Sequence, residues 1–235
     1  MFSKFLLNVN ARRLFFICLI FVVVVLVACS SIFLSSKKVH SQSANTVVVL
    51  DAGHGGIDGG VTGTKTGVKE SEINLAIVKK LQALFKNAGF EVVLTRSNSG
   101  GLYGHTGVGH KKRDMQAREK IIKGASPTLF ISIHQNKFSD SARRGSQVFY
   151  KAGSNEGYNL ANCVQSQVNA LNKGGRQYSA LKGDYYLLNV SPCPAIIVEC
   201  GFLSNAQDEA LLISEEYQQA LAQSIFYGAM QFLVE

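Results

Sequence analysis

Alternating strand and helix patterns between residues 47 and 234 predict an α/β domain with a mainly parallel, mixed twisted sheet flanked by helices. Three observations carry that reading. Continuous apolar runs at 47–50 (VVVL), 128–133 (TLFISI) and 195–198 (AIIV) suit strands covered on both faces. Segments with helical spacing of apolar residues lie between them, the clearest at 70–87. Each run leads into a polar residue, His54, His134 or Glu199. Functional groups of open α/β sheets gather at those carboxyl ends.

The 235 residues divide into an N-terminal membrane anchor or signal segment (1–38), a Ser-rich linker (39–46) and a domain (47–235). Residues 14–34, LFFICLIFVVVVLVACSSIFL, are uncharged and flanked by Arg12-Arg13 and Lys37-Lys38. Such a run is long enough for a bilayer, which takes about 20 apolar residues. It is read first as an uncleaved signal anchor. The alternatives are a lipoprotein attached at Cys29 or a leader cleaved near Ser41–Ser43. All three place the domain outside the cytoplasm. The net charge is +8, but five of the 24 bases precede Asp51, the first acid, leaving 19 bases against 16 acids. That mild surplus suits an anionic polymer. No arginine-rich or aromatic-interleaved basic stripe points to nucleic acid.

The first strand, 47–50, enters the glycine-rich loop GHGGIDGG, whose glycines permit sharp turns and close approach to a ligand. The helix at 70–87 begins with Glu70 and Glu72 and is stopped by Gly89. Residues 90–95 read as the second strand. Residues 96–113 form a long glycine-rich loop, with His105 and His110 solvated or facing substrate. A helix at 115–123 precedes the third strand, and 146–150 is a further strand, placed at an edge. A helix follows at 157–171, then a polar, basic stretch at 172–183 suited to lining a cleft. Residues 185–189 read as a short strand, and helices at 207–212 and 214–234 close the chain.

His54, Glu70, His134 and Glu199 form the candidate site. Two histidines and a glutamate with one open coordination position suit catalytic zinc, and a second glutamate suits a base. Taken singly, each has an ordinary alternative. Glu70 or Glu72 complements a helix dipole, and a strand-end histidine is often structural. The glycine loop lacks the spacings of a phosphate cradle, and no HExxH helix is present. Cys163, Cys193 and Cys200, without CxxC spacing, fit neither a disulfide framework nor a thiolate zinc site.

The blocks LDAGHGG, GVKESEINLAI, LFISIHQN and IIVECGFLSN, in that order, resemble the signatures of zinc-dependent N-acetylmuramoyl-L-alanine amidases, the Amidase_3 family. The likeness runs from about residue 47 to the C-terminus. RDMQAR at 113–118, GSQVFY at 145–150 and the N-terminal segment are most similar to the spore-cortex CwlD type. The resemblance implies Zn²⁺, one per domain, held by His54, Glu70 and His134. Glu70 is preferred over Glu72 because the family's ligand stands four residues before the asparagine found here at Asn74. It implies hydrolysis of the amide between N-acetylmuramic acid and L-alanine in peptidoglycan. Glu199 would take a proton from water and return it to the leaving amine. Asn136 and Arg96 are the expected substrate contacts. The implied partners are peptidoglycan, the membrane through the N-terminal segment, and an activating protein whose involvement stays open. Two other readings are kept: a zinc carboxypeptidase or aminopeptidase on wall peptides, and a non-catalytic, membrane-tethered wall-binding protein.

Overall fold

The computed structural model describes residues 16–25, 46–172 and 176–234. The chain forms two units, Met1–Ala44 and Asn45–Glu235. In the second, the elements run β1 (Val47–Ala52), α1 (Glu70–Asn87), β2 (Glu91–Leu94), α2 (His110–Ala125), β3 (Leu129–Asn136), β4 (Gln147–Lys151), α3 (Asn155–Asn169), β5 (Leu181–Gly183), α4 (Tyr186–Val190), β6 (Ala195–Phe202), α5 (Ala206–Leu212) and α6 (Glu215–Val234).

The sheet has the order β2-β1-β3-β6-β4-β5. The first four strands are parallel, β4 runs antiparallel to β6, and β5 runs parallel to β4. The expected mixed, mainly parallel sheet is therefore observed. Side chains alternate across it, as the two-residue strand period requires. Val48, Leu50, Ile131, Ile133, Ile196 and Val198 are buried in the larger core, with Ile77, Leu81, Leu160, Val164, Leu221 and Ile225 from α1, α3 and α6. Val49, Phe130, Ala195 and Ile197 pack on the other face against Ile122 of α2 and Leu187 and Leu188 of α4. By the same alternation Asp51, His134 and Glu199 belong to this second, more thinly covered face. Full burial of a Val, Leu or Ile side chain is worth about 1.5–3 kcal/mol.

Local signals explain the boundaries. Glu70 and Glu72 occupy the first turn of α1 and Lys86 its last, both favourable to the helix dipole. Ser154 caps α3 by accepting from Gly157 N–H, and Asn205 caps α5 by accepting from Gln207 and Asp208.

Several expectations are corrected. Residues 186–190 form a helical turn rather than a strand, because Leu187 and Leu188 both turn into the core. The strand of this region is β5, inside the polar stretch at 172–183. It covers the outer side of β4, so β4 is not at an edge. Helix α2 begins at His110, five residues before the predicted 115, because its basic first turn faces outward and shows no apolar period. Strands β3 and β6 run on through His134 and Glu199, which lie within strands rather than just beyond them.

Residues 16–25 are helical with exposed side chains. Among the described residues no helix is long and apolar enough to cross a membrane. The rest of the apolar run, including Cys29, and residues 39–45 of the linker lie outside the described residues.

Candidate functional site

Parallel pairing of β1, β3 and β6 sets the site. His134 stands in register with Glu199 on the neighbouring strand, just before a bulge that re-aims the end of β3. His54 follows β1 and adopts a left-handed backbone, φ 62°. Glu70 opens α1, and its buried side chain turns back toward the sheet.

One oxygen gathers the histidines. Glu70 Oε1 lies 2.9 Å from His134 Nδ1 and 3.3 Å from His54 Nε2, and also accepts the Gln135 N–H at 3.0 Å. Glu70 Oε2 accepts the Val61 N–H at 2.9 Å. The two imidazoles meet edge to face, centroids 5.1 Å apart. One donor atom from each of His54, Glu70 and His134 lies within 4.8 Å of the others, spacing suited to a shared ion. Close packing enforces this arrangement. A Cβ on Gly53 would come within 2.2 Å of the His134 ring, and one on Gly60 within 2.4 Å of the Glu70 carboxylate.

Electrostatics follow the geometry. Burial opposes the charged form of Glu70, but the two histidines outweigh it and hold the carboxyl well below its ordinary range. Burial likewise lowers His54, yet Glu70 and Asp58 overcome it and raise that imidazole to about 9. Glu199 behaves in the opposite way. Burial, joined by the Glu70 charge, outweighs the two histidines and pushes its carboxyl up to about 7. Its Oε2 is buried and has no hydrogen-bond partner among the described residues. A poised proton acceptor beside a cluster of metal-binding type is the equipment of general acid–base hydrolysis.

Residues not singled out in sequence hold the His54 loop. Asp58 Oδ2 lies 3.0 Å from His54 Nδ1. Arg118 of α2 donates to the carbonyls of Ala52 and His54 at 2.8 and 2.6 Å, and to Asp114 at 2.7 Å. It also pairs with Asp51, which accepts from Thr95 and Ser132, each at 2.6 Å. Signals existed for both: Asp58 is four residues from His54 in the glycine loop, and Arg118 ends the RDMQAR block.

The two residues expected to contact substrate hydrogen-bond within the protein. Arg96 is buried and donates to the backbone carbonyls of Ala52, Asn98, Gly53 and Ser71 at 2.8–3.0 Å, so it clamps the loop from beneath. Asn136 donates to Gln147 at 3.2 Å and accepts the Lys137 N–H, which ties its amide to the protein. An open cleft of about 260 Å³ is lined by His54, Tyr103, His110, Lys111, His134 and Tyr185, among others. His110, read as solvated or substrate-facing, lines this cleft. His105 is exposed and approaches Arg113 at 3.2 Å. Cys163 and Cys200 are buried, and Cys193 is half-buried.

Parallel strands deliver a two-histidine, one-glutamate cluster that could hold a metal ion, with the Glu199 carboxylate beside it, an arrangement suited to a hydrolase. The Amidase_3 family, N-acetylmuramoyl-L-alanine amidase, matches residues 48–231, and the chain belongs to that family. It is an N-acetylmuramoyl-L-alanine amidase that acts on peptidoglycan. The germination-specific N-acetylmuramoyl-L-alanine amidase of Bacillus subtilis is 31% identical over 193 residues, which cover 80% of each chain. The CwlD amidase from Clostridioides difficile, solved in complex with the GerS lipoprotein, is similar at a TM-score of 0.78 and 34% identity. That match covers 81% of this chain and 99% of the other. The amidase AmiC2 of Nostoc punctiforme is similar at a TM-score of 0.71 and 30% identity, covering 82% of this chain and 99% of its own.

Proposed function

We propose that this amidase is zinc-dependent, with His54, Glu70 and His134 as metal ligands and Glu199 as the catalytic base, and that it strips stem peptides during spore cortex maturation. The observation that supports this most is the convergence of both imidazoles on one Glu70 oxygen, beside an unpaired Glu199. Neutral imidazoles and a carboxylate are a donor set that zinc accepts readily, so the residues fit the ion. Bound there, zinc would supply Lewis acidity and water reactive near neutral pH.

The chain's own residues do the rest. Glu199 accepts a proton from the attacking water on a carboxylate oxygen and carries it to the nitrogen of the departing L-alanine. A carboxyl pushed up to about 7 suits both halves of that transfer. Packing of His134 against Gly53, and the arginine clamps on the loop carbonyls, keep the reacting groups in place.

The cortex role is supported by similarity across most of both chains to a relative named for germination. Removal of stem peptides there would let the muramic δ-lactam form. The structurally similar amidase solved with a lipoprotein supports an activating partner for this chain as well. The apolar run at 14–34 supports tethering outside the cytoplasm, by a signal anchor or through Cys29.

Digestion of peptidoglycan with and without a chelator tests the reading. Mass spectrometry should find free stem peptides beginning with L-alanine, lost when zinc is removed. Shortened peptides still attached to muramic acid would instead establish the peptidase reading. Wild-type protein that binds wall material but releases nothing would support the non-catalytic one.

A further inference from the structure

We propose that Asp58 is a positioning residue for the metal centre: its carboxylate keeps the proton of His54 on Nδ1 and so presents Nε2 of that ring to the ion. The inference rests on the zinc reading above. The two nitrogens of the His54 ring are allotted to different carboxylates. Nδ1 lies 3.0 Å from Asp58 Oδ2, while Nε2 faces Glu70 Oε1 at 3.3 Å. Asp58 is outside the group of mutually close donor atoms, so it acts through His54 rather than as a fourth ligand.

Asp58 is itself held in place. Its backbone C=O accepts the Gly55 N–H at 2.8 Å, and its own N–H returns a bond to Gly55 at 3.2 Å. Its Oδ1 accepts the Gly60 N–H at 3.3 Å, and Lys111 Nζ approaches the same oxygen at 3.9 Å. An ordinary surface ion pair carries no such backbone anchoring on both sides. His54 itself sits at φ 62° in the same glycine-rich turn, so the ring and the carboxylate that faces it are carried by one local structure. A carboxylate on the far nitrogen fixes the tautomer and ring orientation and makes the near nitrogen a better donor to a metal.

The test compares zinc dissociation constants of the full-chain wild type, Asp58→Asn and Asp58→Glu, by chelator competition, alongside thermal melting of each protein free of metal. Asp58→Asn should bind zinc about 10- to 100-fold more weakly. Its metal-free melting should match the wild type, and Asp58→Glu should recover part of the loss. Wild-type affinity in Asp58→Asn overturns the role of Asp58 alone. A wild type that takes up no zinc overturns the zinc reading itself. Where Asp58→Asn also melts early, nitrogen-15 spectra of imidazoles in the zinc-loaded wild type decide the matter. A proton on Nδ1 of His54 supports the proposal, and one on Nε2 overturns it.

Discussion

Glu199 and His54 are pulled in opposite directions by one carboxylate. Glu70 stabilises charge on His54 and opposes it on Glu199, so a single residue helps set both protonation states. Glu199→Gln preserves shape but cannot accept a proton. Zinc content should therefore match the wild type while turnover falls about 10²- to 10⁴-fold. Near wild-type turnover in that variant would remove Glu199 as the base. Metal-free protein offers a second measurement. His54 rises from 6.5 to about 9 in the folded state, so its protonation favours the native form. That contribution is complete below pH 6.5 and is lost as the pH rises through about 9. It is on the order of 3 kcal/mol at most. Urea unfolding of chelated protein should show stability declining across that window, and His54→Gln should flatten the decline.

At the scale of elements, α2 acts as a brace for the end of β1. Arg118 reaches across from the helix to Asp51 and to the carbonyls of Ala52 and His54, and it is among the largest fully buried side chains. Removing one partner of a buried ion pair leaves the other charge uncompensated, at a cost of about 3–5 kcal/mol. Arg118→Met should lower stability by that amount in denaturant titrations. It should also weaken zinc binding, because the His54 carbonyl loses its donor. A loss under 1 kcal/mol would show that Asp51 finds other compensation, for instance from Thr95 and Ser132.

Across the whole domain, the candidate site draws on separate elements at the front of the sheet. Glu70 comes from α1, His54 from the loop after β1 and His134 from β3, so an ion held by all three would link elements far apart in sequence. Zinc that binds the folded chain alone should stabilise it by about 2.7 kcal/mol at a hundredfold excess over Kd. For a domain of this size that is a rise in Tm of roughly 5–10 °C. A chelator should reverse the rise, and His134→Ala should abolish it. Zinc that leaves the wild-type Tm unmoved would separate the ion from the fold.

Sequence alone determined the α/β class, the strands that lead to the site and the choice of His54, Glu70, His134 and Glu199 as its candidates. Those features are local: a continuous apolar run, a glycine loop or a helix start is written in adjacent residues. Each residue read singly was ambiguous, and the order of four blocks pointed to one family, whose model matches residues 48–231. The hydrogen-bond partners of Arg96, Arg118 and Asp58 were legible only in the tertiary structure. An arginine with no apolar period around it reads as solvent-facing or substrate-facing, yet Arg96 and Arg118 are buried by carbonyls of the chain that turns after β1. The turn at 186–190 was likewise settled by packing, since two adjacent leucines fit a buried strand or a single helical turn equally well. Which one forms depends on whether a neighbouring strand offers hydrogen bonds, and β5 had already taken that place beside β4.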